Sequence, residues 1–167
     1  GAFGAIGVNE FLVKKRFGGR MPSNPFTKAG VPVLITRNTR ERNLFNGDIG
    51  VTVEGPGGMT AIFARGKDVV TCPVDLLPEH DLAYAITVHK SQGSEFGNVL
   101  VVLPNRADHP LLSRELVYTG ITRAKKRAVV MGAESSQNRF SACKAMLDHG
   151  FASYALVAPT LEQALSV

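Results

Sequence analysis

Two short stretches of this sequence gather side chains that can do chemistry. The first runs Thr87-Val88-His89-Lys90-Ser91-Gln92-Gly93-Ser94-Glu95. Its hydroxyls and backbone amides can hold phosphate, His89 and Lys90 add charge or hydrogen bonds, and the Glu95 carboxylate can accept from sugar hydroxyls or orient a cation. The same composition also suits an ordinary polar loop capping a strand. The second stretch is Tyr118-Thr119-Gly120-Ile121-Thr122-Arg123-Ala124-Lys125-Lys126, with Arg123 one helical turn beyond Thr119. A guanidinium is planar, permanently charged and bidentate, so it suits the oxygens of a phosphoryl group in transfer. Outside such a setting, an arginine of this kind is a surface ion-pair partner.

These stretches need a scaffold, and the apolar pattern supplies one. Residues 98–103 include the unbroken run Val99, Leu100, Val101, Val102, Leu103, which suits a strand covered on both faces and implies a parallel sheet. Residues 84–88 read as another strand. That puts the first stretch at a strand-to-loop transition, and open α/β sheets bind ligands beyond the carboxyl ends of their strands. Residues 113–125 read as a helix with Leu116, Val117, Gly120, Ile121 and Ala124 on one face and Thr119, Thr122 and Arg123 on the other. A short strand over 128–131, a second amphipathic helix over 136–148 and a tail over 151–167 follow. At the other end, residues 8–17 read as a helix stopped by Gly18 and Gly19, 21–30 as a loop, 31–36 as a short strand of buried type and 37–46 as a connection.

The middle has a different character. Residues 50–54, 59–65 and 69–74 are β-type runs separated by Gly55-Pro56-Gly57-Gly58 and Gly66-Lys67-Asp68, the turn chemistry of hairpins. Such a meander is too small to stand alone and is expected to pack as a miniature barrel against the rest. Charge marks it too: residues 43–86 carry −4, against +6 for residues 1–42 and +4 for residues 87–127. The whole 167-residue chain, 44% hydrophobic and 20% charged, has the composition of one globular domain with room for a small insert. Its net charge of +5 permits a polyanionic partner without requiring one. No apolar run approaches the ~20 residues that span a bilayer. Cys72 and Cys143 share no metal-ligand or disulfide spacing, so no metal site is expected and a reducing, cytoplasmic compartment fits best.

Taken in order, the two stretches resemble motifs V and VI of superfamily 1 helicases. The likeness extends over Asn43-Leu44-Phe45-Asn46-Gly47-Asp48-Ile49-Gly50, Leu77-Pro78-Glu79-His80, residues 85–96 and Arg114-Glu115-Leu116-Val117 ahead of Tyr118. Residues 3–133 are similar to the C-terminal region of the RecD family, the alpha subunits of exodeoxyribonuclease V. The resemblance implies an α/β fold, a RecA-like parallel-sheet domain (domain 2A) formed by residues 1–47 and 83–150. An SH3-like barrel (domain 2B) would be inserted at 48–82, with 151–167 as a tail. It implies a motor that uses ATP and Mg²⁺ to move along single-stranded DNA. Arg123 would be the arginine finger at the γ-phosphate, Gly93 and Glu95 would lie near the nucleotide, and Thr87, His89 and Lys90 near the DNA backbone. The partners implied are a preceding RecA-like domain and RecB-type and RecC-type subunits.

One departure is large. No G-x-x-x-x-G-K-[ST] occurs, since Gly66-Lys67 is followed by Asp68, and no adjacent Asp-Glu pair is present to hold magnesium. Phosphoryl transfer needs those groups as well as the finger, so the chain alone is expected not to hydrolyse ATP and to derive from a longer helicase. Two other functions fit the residues: a small basic module that holds single-stranded nucleic acid without a motor, and a subunit-docking module.

Overall fold

A computed structural model describes residues 4–103 and 113–131, in two compact units, Gly1–Ile86 and Thr87–Val167. The helix expected over 136–148 and the tail lie outside the described residues.

The first unit begins with helix α1 (Ala5–Arg16), which buries Val8, Asn9 and Val13. Its last turn carries Lys14, Lys15 and Arg16, cations that suit the negative end of the helix dipole. The helix stops where Gly18 takes a positive φ of 68° and the Gly19 amide donates back to the Lys14 carbonyl at 2.7 Å. Five strands follow: β1 (Pro32–Ile35), β2 (Ile49–Gly55), β3 (Gly58–Arg65), β4 (Asp68–Pro73) and β5 (His80–Leu82). They form one antiparallel sheet in the order β4-β3-β2-β1-β5. The meander lies where its turn residues place it. Gly55 pairs Gly58 across Pro56-Gly57, and Arg65 pairs Asp68 across Gly66-Lys67.

Two expectations need correction here. The resemblance implies that the run at 31–36 belongs to the parallel domain, yet β1 pairs antiparallel with both β2 and β5. A run with both faces covered does not reveal the direction of its neighbours: Val33, Leu34 and Ile35 are buried on either side of this sheet as they would be in a parallel one. Nor is there a strand at 84–88. The ladder ends where the Ala83 amide donates to the Pro32 carbonyl. Beyond it, the Asn9 amide takes up both backbone groups of Ala85: Asn9 Nδ2 donates to the Ala85 carbonyl at 2.7 Å, and the Ala85 amide donates to Asn9 Oδ1 at 3.0 Å. A residue so engaged has nothing left to offer a neighbouring strand.

The core of this unit joins Val33, Ile35, Leu44, Ala61, Phe63 and Cys72. Burial raises the Cys72 thiol above its ordinary range, although the nearby Arg42 charge and hydrogen bond oppose the shift. Thr52 is also buried. Its hydroxyl donates to the Lys28 carbonyl at 2.5 Å and accepts from the Val31 amide at 2.9 Å, bolting the loop before β1 onto β2. Gly50 is required by close approach, since a Cβ there would lie 2.6 Å from the Ile62 carbonyl oxygen and from the Phe63 ring. At the far end of β3, Arg65 donates to Asp48 and to Asn43 Oδ1 and lies over the Phe45 ring, which fixes the turn leading into β2.

In the second unit, β6 (Phe96–Val102) and β7 (Ala124–Met131) run parallel, with helix α2 (Arg114–Ile121) between them in sequence. Ser113 caps α2 by accepting from the Leu116 amide at 3.2 Å. Val101, Leu103, Val117, Ile121, Ala128 and Val130 form the core, as the apolar periodicity of both segments requires. The helix is shorter and the strand longer than expected. Ala124-Lys125 reads as a helix end, but Phe96 pairs Ala124 and Asn98 pairs Arg127, so sheet partners claim the residues from 124 on. Among the described residues no helix is long and apolar enough to cross a membrane.

Candidate functional site

The first stretch enters the sheet rather than leaving it. Thr87 begins a tight turn, and residues His89–Ser91 form a single 3-10 turn. The Thr87 hydroxyl accepts from the Lys90 amide at 3.3 Å, and the Ser91 hydroxyl donates to the Val88 carbonyl at 2.7 Å. Ser91 is buried, whereas Thr87, His89 and Lys90 are exposed. Gly93 adopts φ +83° with open space where a Cβ would stand, and the chain then passes through Ser94 and Glu95 into β6. The expected place at the carboxyl end of a strand is therefore corrected. No strand runs directly into the stretch, since β5 ends at Leu82, and it sits at the amino end of β6.

Arg123 lies at the matching amino end of β7, just past α2 rather than on it. The Arg123 amide donates to the Gly120 carbonyl at 3.3 Å, and the Arg123 carbonyl accepts from the Phe96 amide at 2.8 Å. This backbone bond puts Arg123 beside the end of the first stretch. Its half-buried guanidinium is held by Nε donating to the Thr119 carbonyl at 3.2 Å and Nη2 donating to Thr122 Oγ1 at 3.3 Å. Nη1 makes a longer contact of 3.5 Å with the Ser94 carbonyl. The charged fork is thus pre-positioned by acceptors, none of which is a carboxylate that would neutralise it. Glu95 instead pairs with Lys125 at 2.9 Å. Hydrogen bonding and charge from Lys125 hold the Glu95 carboxyl below its ordinary range, and the Arg123 charge adds to the effect.

Three contributors were not legible as such. Lys125 was assigned to a helix, so its reach to Glu95 was hidden. The Ser94 carbonyl is a backbone group without a sequence signature. Gly120 was assigned to an apolar face, but its role is close approach, since a Cβ there would meet Val101 at 3.3 Å and Val88 at 3.4 Å. That gap lets α2 pack against the beginning of the first stretch, bringing the two stretches together.

Residues 82–131, which contain both stretches, match the UvrD-like helicase C-terminal domain. Over 118 residues the chain is 39% identical to the RecBCD enzyme subunit RecD of Mycobacterium tuberculosis, covering 71% of this chain and 20% of that protein. It is 45% identical over 106 residues to the same subunit of Mycolicibacterium smegmatis, covering 64% of this chain and 18% of that protein. The chain carries a UvrD-like helicase C-terminal domain and is similar to part of the RecD subunits. A further RecD-type relative, the ATP-dependent RecD2 DNA helicase of Deinococcus radiodurans, is 38% identical over 109 residues, 65% of this chain and 15% of that protein. The chain therefore spans about a fifth or less of the length of these curated relatives.

Proposed function

We propose that this chain is the second motor half of an ATP-dependent DNA helicase that acts in double-strand break repair and recombination, with residues 87–95 and 118–126 serving as motifs V and VI. The α/β unit is then RecA-like domain 2A and the antiparallel sheet its SH3-like module 2B. The module is wider than residues 48–82, because β1 shares its core. The observation that carries the reading is Arg123, a guanidinium held by neutral acceptors beside the loop of Gly93 and Glu95.

A polyphosphate fits this donor set. ATP, when bound, supplies the phosphoanhydride whose cleavage drives the motor. Arg123 meets charge developing on the γ-phosphoryl oxygens, and its fixed orientation lowers the reorganisation needed as that charge grows. Gly93 gives the nucleotide room at its open backbone, and Glu95 holds Lys125 close by. Thr87, His89 and Lys90, exposed on their tight turn, take the phosphates of single-stranded DNA. The phosphate-cradling lysine and the magnesium ligands come from a preceding RecA-like domain, so the isolated chain is inert toward ATP. RecB-type and RecC-type subunits are the partners that fit, since the relatives are RecD subunits of RecBCD enzymes.

The test is made in the full-length helicase. Arg123→Ala is expected to lower kcat by about 10³ or more while ATP affinity and DNA binding change little. Arg123→Lys restores little, because an ammonium lacks the bidentate fork. If Arg123 were only a surface charge, alanine would cost about 0 to 1 kcal/mol of stability and leave DNA-stimulated turnover intact.

A further inference from the structure

The first unit carries a basic surface that the motor reading does not use. Residues 11–40 contain seven Lys and Arg and not one Asp or Glu. Five of the seven belong to three joined segments: Lys14, Lys15 and Arg16 at the end of α1, Arg20 after the glycine turn, and Lys28 before β1. All five are exposed.

Their joining is built. Arg16 Nη2 donates to the Ala29 carbonyl at 3.0 Å, and its guanidinium packs so closely on Gly30 that a Cβ there would stand 2.5 Å away. The Lys28 carbonyl is in turn held by the buried Thr52 hydroxyl, and the Gly30 amide donates to the Thr52 carbonyl at 2.6 Å. The end of the helix is thereby fastened to the sheet, so Lys28 is held on the same framework as Lys14 and Lys15. The turn between them is bare, with nothing within 4 Å of the place a Cβ would take on Gly18 or Gly19. Among the described residues no carboxylate forms an ion pair with Lys14, Lys15, Arg20 or Lys28.

We propose that this surface binds the phosphodiester backbone of nucleic acid, as a second contact independent of Thr87, His89 and Lys90. Clustered cations on a fixed framework, engaged in no ion pair among the described residues and beside an open glycine turn, suit a regularly spaced polyanion. A membrane surface suits them less. The apolar residues Val8 and Val13 of α1 face the unit's own interior, and the exposed Ile6 and Met21, separated in sequence, are too few to make the apolar stripe that enters a bilayer. The inference rests on the helicase reading only for the choice of DNA as the probe.

The test uses the 167-residue chain, with fluorescence anisotropy of a labelled oligothymidylate and of a labelled duplex across a salt series. The triple variant Lys14→Ala, Lys15→Ala, Arg20→Ala spares the structural Arg16. Losing three phosphate contacts is expected to flatten the salt dependence, so that the affinity ratio between 50 and 200 mM salt shrinks by roughly 20-fold on single strands. The charge-preserving variant Lys14→Arg, Lys15→Arg, Arg20→Lys is expected to retain binding, and thermal unfolding checks that each variant is folded. Loss on both probes, or on either one, supports the surface and says which form it takes. Unchanged affinity and slope in a folded triple variant would overturn it. So would loss of binding to phosphatidylserine vesicles with oligonucleotide binding intact. A parallel Lys90→Ala variant separates the two readings, because the triple variant can fail while Lys90→Ala binds weakly, or the reverse.

Discussion

Glu95 and Lys125 meet at 2.9 Å with 58% and 61% of their side chains in solvent. The Lys125 hydrogen bond, then its charge, then the more distant Arg123 charge hold the Glu95 carboxyl below its ordinary range, against a small opposing effect of burial. A carboxyl depressed in the folded state contributes stability above its ordinary unfolded value and loses it as pH falls through the lower folded one. Both groups are largely solvated, so the contribution is small and a melting curve is the wrong instrument. A site-resolved NMR titration is the right one. Lys125→Ala is expected to move the Glu95 midpoint up toward the ordinary carboxylate range, and an unmoved midpoint would mean that the pair does not form in solution. Arg123 and Glu95 stand out in the sequence as candidates because a guanidinium and a carboxylate are able to do such chemistry, and the structure places them near each other. Lys125 does not, because its position depends on where a helix gives way to a strand.

At the scale of elements, β1 is the instructive case. Its apolar run announced a buried strand, but the identity of its neighbours depended on distant segments. The hairpins of β2 to β4 were legible because glycine turns are local signals, and β6 because a long apolar run has few alternatives. The strand expected at 84–88 failed because a side chain 76 residues away occupies its backbone. The pairing of β1 makes one experiment sharp. Deleting residues 48–78 behind a short linker would leave a parallel domain intact if β1 belonged to it. The observed sheet instead predicts that Val33 and Ile35, fully buried against Ala61, Phe63 and Cys72, become exposed and that the first unit loses cooperative unfolding. Circular dichroism against urea checks this, and a deletion chain with a sharp transition would contradict the shared core.

Across the whole molecule, the first and second units answer to different physics, one a sheet stapled by side-chain hydrogen bonds and one a short α/β core that carries Gly93, Glu95 and Arg123. The proposed division of labour gives a direct expectation. The 167-residue chain should show no DNA-stimulated ATP turnover above background in a coupled assay, and turnover lost on Arg123→Ala would refute it. The Asn9 clamp on Ala85 has a mechanical meaning as well. It closes the first unit at its neck, one residue before the last of that unit, and so stores 76 residues of chain behind two hydrogen bonds. A pull between residues 5 and 86 loads that knot first and leaves the sheet unloaded until it slips. Optical tweezers should then record one release approaching ~260 Å of contour, from about 3.4 Å per residue. With Asn9→Ala, the same length should pay out in smaller steps at lower force. A motor that hauls on its track would gain from such a fuse, since tension reaching residue 86 would be stopped at the knot and would not peel strands from the sheet.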